Sequence, residues 1–545
     1  MIPEEFTKDL EVSLASRDIQ SGIALLDANR DDLPLLDPGS HNVGVLLGCV
    51  SKWIDMDFSL LSVIQHLVSE DKLAVSRRPA LRFRDFAYLR FAEGIVGMHR
   101  GKIADALRHL TAVLNDARDL NDSRLMISGN YFVARCYRIK GLYDVAEEHA
   151  IEAQHLSEQQ NGSLERQVAV IQILRAWLLF QKGDHAQAKQ ILEMAKTQLA
   201  HSSDYVSKGN AWSLHARMER RLSRSHLHLF NHAVREYHNG GEPGKKHPNL
   251  ARVLANRALT HILDAHRIAL RLKEHQEQRG AATAQIRSVE ENDLIRKFEA
   301  LHKRAENDLT DAEAICRPLQ MNRALASCCL RRAFMYFDQC NGQDARLKVV
   351  EAYTLAKEED DYITMGRAKV LECMIEDQDY LDGVGDTQDQ SEKVYSCASE
   401  AVELAERTEN RGLSARAYLA MGFALVDSKN DKQQATVYLK RTENIYNGGG
   451  FDFLWEHLQR LRSKVADQGS ISAELVQWIQ KPEKKSFDDL KDLLCTLVWE
   501  YLGQNIGRAA KNLGVDPETV KSHLVGAGRL PRGEASSTKK TIPAA

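Results

Sequence analysis

The stretch "NIGRAAKNLGVDPETVKSHL", residues 505–524, places basic and hydrogen-bonding side chains at spacings that suit nucleic-acid contact. It reads as helix, turn, helix. Ala509 and Ala510 are small where two helices would cross, and Gly514 supplies the turn. Asp516 is placed to cap the next helix, Pro517 suits its first turn, and Val520 and Leu524 face a small core. Glu518, Lys521 and Ser522 then point outward from a second helix that fits a major groove. In that register Lys521 and Ser522 approach base edges, and Glu518 accepts from a cytosine amine. Arg508, Lys511 and Arg529 approach phosphates, with Asn505 near the backbone at the start of the first helix. The reading helix begins Asp-Pro-Glu and carries one lysine, so useful affinity implies a homodimer or a tethered partner.

A second set lies earlier in the chain. Tyr131, Arg135 and Arg138, and then Ile173 and Trp177, fall at helical spacings that share a face. An aromatic beside arginines suits a peptide or a carboxylate. Trp177 serves equally well as core between helices. His228 and His232 stand four apart, but no obvious Cys, Asp or Glu completes a metal set, and neither a metal nor a cofactor is expected. The chain has no HExxH, GxSxG, GxGxxG or kinase pattern, and is read as a non-enzyme.

What must position these residues is helix. The chain has 545 residues and only 11 prolines, none of them between Pro79 and Pro243 or between Pro318 and Pro482. Such spans suit continuous helix, because an interior proline costs roughly 3 kcal/mol. Three segments repeat a glycine five residues before an alanine: "GKIADA" (101–106), "GLYDVA" (141–146) and "GDHAQA" (183–188). A small residue precedes each glycine by seven: Gly94, Ala134 and Ala176. Ala153 and Ala195 follow the second and third alanines by seven, with Val113 in that place in the first. Small residues let antiparallel helices approach, and glycine turns the chain between them. A degenerate block follows the same columns, with Ala333, Ala345 and Ala352 around Cys340, and Ala435 after Asn430.

This small–Gly–Ala–Ala pattern resembles the tetratricopeptide repeat, with Tyr137 at the family's aromatic position; the family's tryptophan and proline positions are not matched, and the period is longer. Such repeats line a groove with their first helices, so the resemblance implies that Tyr131, Arg135, Arg138, Ile173 and Trp177 face a groove for a protein, peptide or small ligand. "RAAKNLGV" with "TVKSHL" is similar to Fis-type and LuxR-type helix-turn-helix modules. Together they loosely resemble the repeat and DNA-binding parts of MalT-class regulators. That class has an ATPase, and this chain lacks its GxxxxGK[ST] loop. The fold class expected is all-α: a tetratricopeptide-like helical-repeat solenoid with a small C-terminal helix-turn-helix domain.

The domains expected are N-terminal repeats over 1–204, a long-helix insertion over 205–312 and degenerate repeats over 313–465. A linker over 466–485, the helix-turn-helix over 486–531 and a disordered tail over 532–545 complete the chain. "YHNGGEPGKKHPN" (237–249) and "LDGVGDTQDQSEK" (381–393) read as loops, and Ser486 as a helix cap.

The net charge of −3 hides an asymmetry. Residues 503–545 carry seven basic and three acidic side chains, leaving an acidic remainder and placing nucleic-acid contact at the end. The nine cysteines have no CxxC spacing, and no apolar run approaches the roughly 20 residues that span a bilayer. The expectation is a cytoplasmic protein without membrane contact: a sensor and transcriptional regulator whose body binds a ligand and whose C-terminus binds DNA. The rival reading is a repeat scaffold, or a regulatory subunit of a multi-protein assembly, that does not bind DNA.

Overall fold

In the computed structural model the described residues are 4–160, 164–222, 226–279, 288–384, 386–447, 449, 454–466, most of 491–499, and 505–526. They are helical, with no strand among them. The chain divides into two compact units, 1–461 and 462–545.

The first unit begins with Glu4–Ser16 (α1), Ile19–Ala28 (α2), Val43–Ser51 (α3) and Leu60–Leu67 (α4). Helix pairs follow: Phe83–His99 (α5) with Ile103–Asp119 (α6), and Ser123–Lys140 (α7) with Tyr143–Glu158 (α8). Next come Glu165–Lys182 (α9) with His185–Leu199 (α10), and Tyr205–Arg221 (α11) with Leu227–Asn239 (α12). The short Gly241–Lys245 (α13) leads to two long helices packed on each other, Pro248–Arg279 (α14) and Val289–Cys316 (α15). Three further pairs are Asn322–Asp338 (α16) with Gly342–Lys357 (α17), Tyr362–Leu381 (α18) with Thr387–Glu406 (α19), and Arg411–Asp427 (α20) with Lys432–Asn447 (α21). Trp455–Val465 (α22) follows.

The repeat columns are where the helices touch. Ala134, Ala146, Ala153, Ala176, Ala188, Ala195, Ala333, Ala345, Ala352 and Ala435 are all fully buried. Each leaves its neighbour room to approach closely, which larger side chains would block. The turns repeat as well. At Gly141 the backbone is left-handed (φ +80°), and the Leu142 N–H donates to the Tyr137 carbonyl, closing the helix end. Cys340 takes the same conformation (φ 58°) with the same closing bond, Asn341 N–H to Tyr336 carbonyl, although it is not glycine. Asn430 (φ 53°) does likewise in conformation. Asp or Asn then caps many of the following helices: Asp122, Asp184, Asp204, Asn341, Asp361 and Asn410 each accept from a backbone N–H three residues on.

Two expected loops are mostly helix. Over 237–249 the chain forms α13 and starts α14 at Pro248, because proline is tolerated at a first helical position. Over 381–393, α19 starts at Thr387, because Asp386 accepts from the backbone N–H groups of Gln388 and Asp389. The end of the expected long-helix insertion is one helix, α15, which runs just past it to Cys316 and is started by a reciprocal capping box between Ser288 and Glu291.

In the second unit, helices Ile506–Leu513 and Pro517–Gly526 are joined through Gly514, whose φ is +68°. Trp499, Ala509, Ala510, Val520 and Leu524 form its small core. Ser486 and the expected linker beyond residue 466 lie outside the described residues, as does the expected tail.

Candidate functional site

The repeat helices line a cavity of about 350 Å³ in the first unit. Helix α7 contributes Tyr131, Arg135 and Arg138, and α9 contributes Ile173 and Trp177. The expected groove residues therefore share one cavity. It also receives Arg217 from α11, Arg252 and Asn256 from α14, Arg323, Ser327 and Arg331 from α16, and Arg367 from α18. Arg323, Ser327 and Arg331 lie four apart, which puts them on one face of α16.

The arginines divide into two groups. Arg17 is paired with Asp204 at 2.6 Å, and Arg323 with Asp361 at 2.8 Å. Arg135 grips Asp55 with both terminal nitrogens, the Nη2–Oδ1 contact being 2.9 Å. That fork makes Arg135 a structural anchor as well as a lining residue. Asp55 is held below the usual carboxylate range: burial raises it, and the charge and hydrogen bonds of Arg135 outweigh that.

Among the described residues Arg138, Arg217, Arg252, Arg331 and Arg367 make no ion pair with a carboxylate. Neutral groups orient several of them instead. Arg331 donates to the Ser327 carbonyl at 2.7 Å and to Asn256 Oδ1 at 3.3 Å, and Arg252 donates to Asn249 Oδ1 at 2.8 Å. Trp177 lies beneath two guanidinium groups, Arg138 at 5.0 Å and Arg217 at 5.8 Å from its ring centre, and meets Tyr143 edge-on at 5.5 Å. Half-buried, it is both cavity wall and packing surface.

The electrostatics are one-sided. Burial, then Arg135 and Arg252, push the Arg138 guanidinium down to about 9. Burial, then Arg367 and Arg331, push Arg217 to about 10, and burial lowers Arg331 to about 10. Arg367 and Arg252 are lowered too, chiefly by burial. All remain charged at neutral pH, so the cavity holds positive charge that the protein does not neutralise. Arg252 is open to water yet surrounded by protein, which is the situation of a group lining a wet interior.

The sequence singles out Tyr131, Arg135, Arg138, Ile173 and Trp177 and leaves out the five arginines on later helices, Arg217, Arg252, Arg323, Arg331 and Arg367. A signal was present. Arg135, Arg217, Arg252 and Arg367 each directly follow a small buried residue: Ala134, Ala216, Ala251 and Gly366. One step along the helix from a close-packed column points into the superhelix.

In the second unit, Arg508, Lys511, Glu518, Lys521 and Ser522 are exposed. Asn505 spends its side-chain oxygen on the Arg508 N–H at 3.0 Å, capping the first helix. Asp516 accepts from the Thr519 N–H at 2.9 Å, and Glu518 lies 3.9 Å from Lys521. Arg529 lies outside the described residues. Among the described residues no group of three or more His, Cys, Asp and Glu could hold a metal, and no helix is long and apolar enough to cross a membrane.

No family model matches the chain, and no curated protein matches it. Solved structures similar to it include the apo form of the quorum sensor NprR from B. thuringiensis, at 13% identity and TM-score 0.34, covering 82% of this chain and 98% of that one. Yeast Tom70 is similar at 12% identity and TM-score 0.37, covering 86% and 98%. A monomeric mutant of IFIT1 with m7Gppp-AAAA is similar at 14% identity and TM-score 0.38, covering 83% and 95%.

Proposed function

We propose that the protein is a sensor and regulator: the helical-repeat body captures an anionic ligand in its inner cavity, and the C-terminal helices bind DNA. The observation that carries the reading is the set of arginines at the cavity that lack carboxylate partners. Like charges held around one protein-lined volume without a countercharge repel one another and cost stability, so a chain that keeps several such half-buried groups there retains them for an anion. The C-terminal half of the reading rests on a left-handed Gly514 that turns one short helix into another with Lys521 and Ser522 exposed. There Lys521 and Ser522 meet base edges, Arg508, Lys511 and Arg529 meet phosphates, and a homodimer supplies the second half-site.

The experiment is duplex binding by the full chain, followed by anisotropy across a salt series. Lys511→Ala weakens all sequences alike and lowers the salt slope by about one unit. Lys521→Ala costs about 1–3 kcal/mol on the preferred site and less on random DNA. Gly514→Val abolishes binding by forbidding the turn. In parallel, a multivalent anion raises the melting temperature of the full chain more than chloride at matched ionic strength. Absence of salt-sensitive duplex binding, with and without that anion, sinks the DNA half. The acidic start of the second helix favours a second reading, a repeat scaffold or regulatory subunit with a structural C-terminus, which then takes over.

A further inference from the structure

We propose that the cavity takes a phosphate-dense anion, a free polyphosphate or the polyphosphate tail of a nucleotide, clasped by Arg138, Arg217, Arg252, Arg331 and Arg367. The inference rests on the anion-receptor reading above and names its ligand class.

Three observations favour phosphate over a peptide. The first is retained charge. Asp55 is the one carboxylate among the lining residues, and Arg135 occupies it. The five guanidinium groups come from separate helices, and those with hydrogen bonds are held by amides and carbonyls that orient them without neutralising them. The second is unfilled donor capacity. The Nε of Arg138 and the Nε of Arg331 are buried without a hydrogen-bond partner. Arginine only donates, so the matching ligand surface is one that only accepts. A polyphosphate accepts on all its outer oxygens, whereas a peptide brings its own N–H donors against those of the arginines. The third is density. Each phosphate in a terminal position carries about −1.5 to −2, while a peptide offers at most one side-chain carboxylate per ~3.3–3.6 Å of extended chain. Neutralising five charges around about 350 Å³ therefore favours phosphates in a row.

The arrangement also predicts opposite effects on binding and stability. Removing one of these arginines relieves repulsion in the empty cavity while deleting a charged hydrogen-bond donor to the ligand. A purely structural arginine would behave the other way.

The test is calorimetric titration of the full chain, in about 150 mM salt without divalent metal, with four probes: sodium tripolyphosphate, ATP, adenosine and tetraglutamate. Tripolyphosphate is expected to bind, and tetraglutamate to bind at least about tenfold more weakly. Arg217→Gln and Arg331→Gln are expected to lower tripolyphosphate affinity at least about tenfold while melting at or above the wild-type temperature. Arg118→Gln, on the outward side of α6, keeps the wild-type affinity. Arg367→Lys retains the charge but loses the fork, and is expected to weaken binding in a folded protein. ATP binding more tightly than tripolyphosphate, with adenosine silent, identifies a nucleotide tail as the source; equal affinities identify free polyphosphate. Tetraglutamate binding as well as tripolyphosphate overturns the phosphate assignment and leaves the receptor reading standing. Tripolyphosphate binding that ignores all three cavity substitutions places it elsewhere and overturns the assignment. If none of the probes binds, both the assignment and the receptor reading fall.

Discussion

At the scale of residues, Asp55 on the cavity wall and the two histidines beside it work only in one protonation state. Asp55 holds Arg135, and its backbone carbonyl lies 2.6 Å from His247 Nε2. The His247 Nδ1 accepts from the Asn249 N–H at 3.0 Å, so the neutral ring uses both nitrogens. Burial pushes His247 down to about 4 and His99 down to about 3. An unfolded histidine titrates near 6.5, so as pH falls below that value the unfolded chain takes up protons that the folded chain refuses. Stability is thus full above about pH 6.5 and falls towards pH 4, by about 1.4 kcal/mol per pH unit for each such histidine. Urea denaturation at pH 7 and pH 5 measures it, and equal midpoints would contradict the assignment. Asp55→Asn leaves Arg135 without its countercharge, and is expected to cost about 3 kcal/mol by the same measurement.

At the scale of elements, the repeat is a packing rule that sets where a helix pair can close. Ala146 and Ala188 are fully buried where paired helices pack. Ala146→Leu and Ala188→Leu are each expected to destabilise by about 1–3 kcal/mol through overpacking. Thermal melts check this, and melts unchanged by both substitutions would mean the columns are misplaced. The degenerate repeats were readable because position outlasts residue type. Cys340 and Asn430 stand where glycine stands earlier, and both take the left-handed backbone that ends a helix. The same reading failed at 237–249 and 381–393, where glycine and proline suggested loops. Capping by Asp386 and a first-position Pro248 turned most of those residues into helix starts.

At the scale of the whole molecule, the body closes on itself. Gly141 is left-handed, and a Cβ there would also fall 2.9 Å from Thr408, because the later repeats come round against the earlier ones. The Glu409 N–H donates to the Gly141 carbonyl at 2.9 Å, and its carboxylate accepts from the Tyr143 N–H and from the Asp144 N–H at 2.8 Å. It thereby caps α8 from 265 residues away along the chain. Arg411 donates to the Lys182 carbonyl at 2.9 Å, and Asn410 to the Tyr143 hydroxyl at 2.9 Å. Glu409→Ala is expected to cost about 1–2 kcal/mol and to speed hydrogen exchange at the amides of Tyr143 and Asp144. Exchange there that matches wild type would remove the clasp from the account.

The sequence by itself determined what is local. Proline-free spans set the helical class, small residues at a steady interval set which faces pack, and Asn505, Gly514, Asp516, Val520 and Leu524 outline the C-terminal pair of helices. Those features depend on neighbours a few residues apart, and so their physics is written in spacing. The tertiary structure decided the cavity. Arg217, Arg252, Arg331 and Arg367 sit on separate helices, and the small buried residue before three of them marks the inner face of each helix but not a shared volume. Only the curvature of the superhelix brings them together, and only the positions of Asp55, Asp204 and Asp361 decide which arginines are neutralised and which are left to meet a ligand.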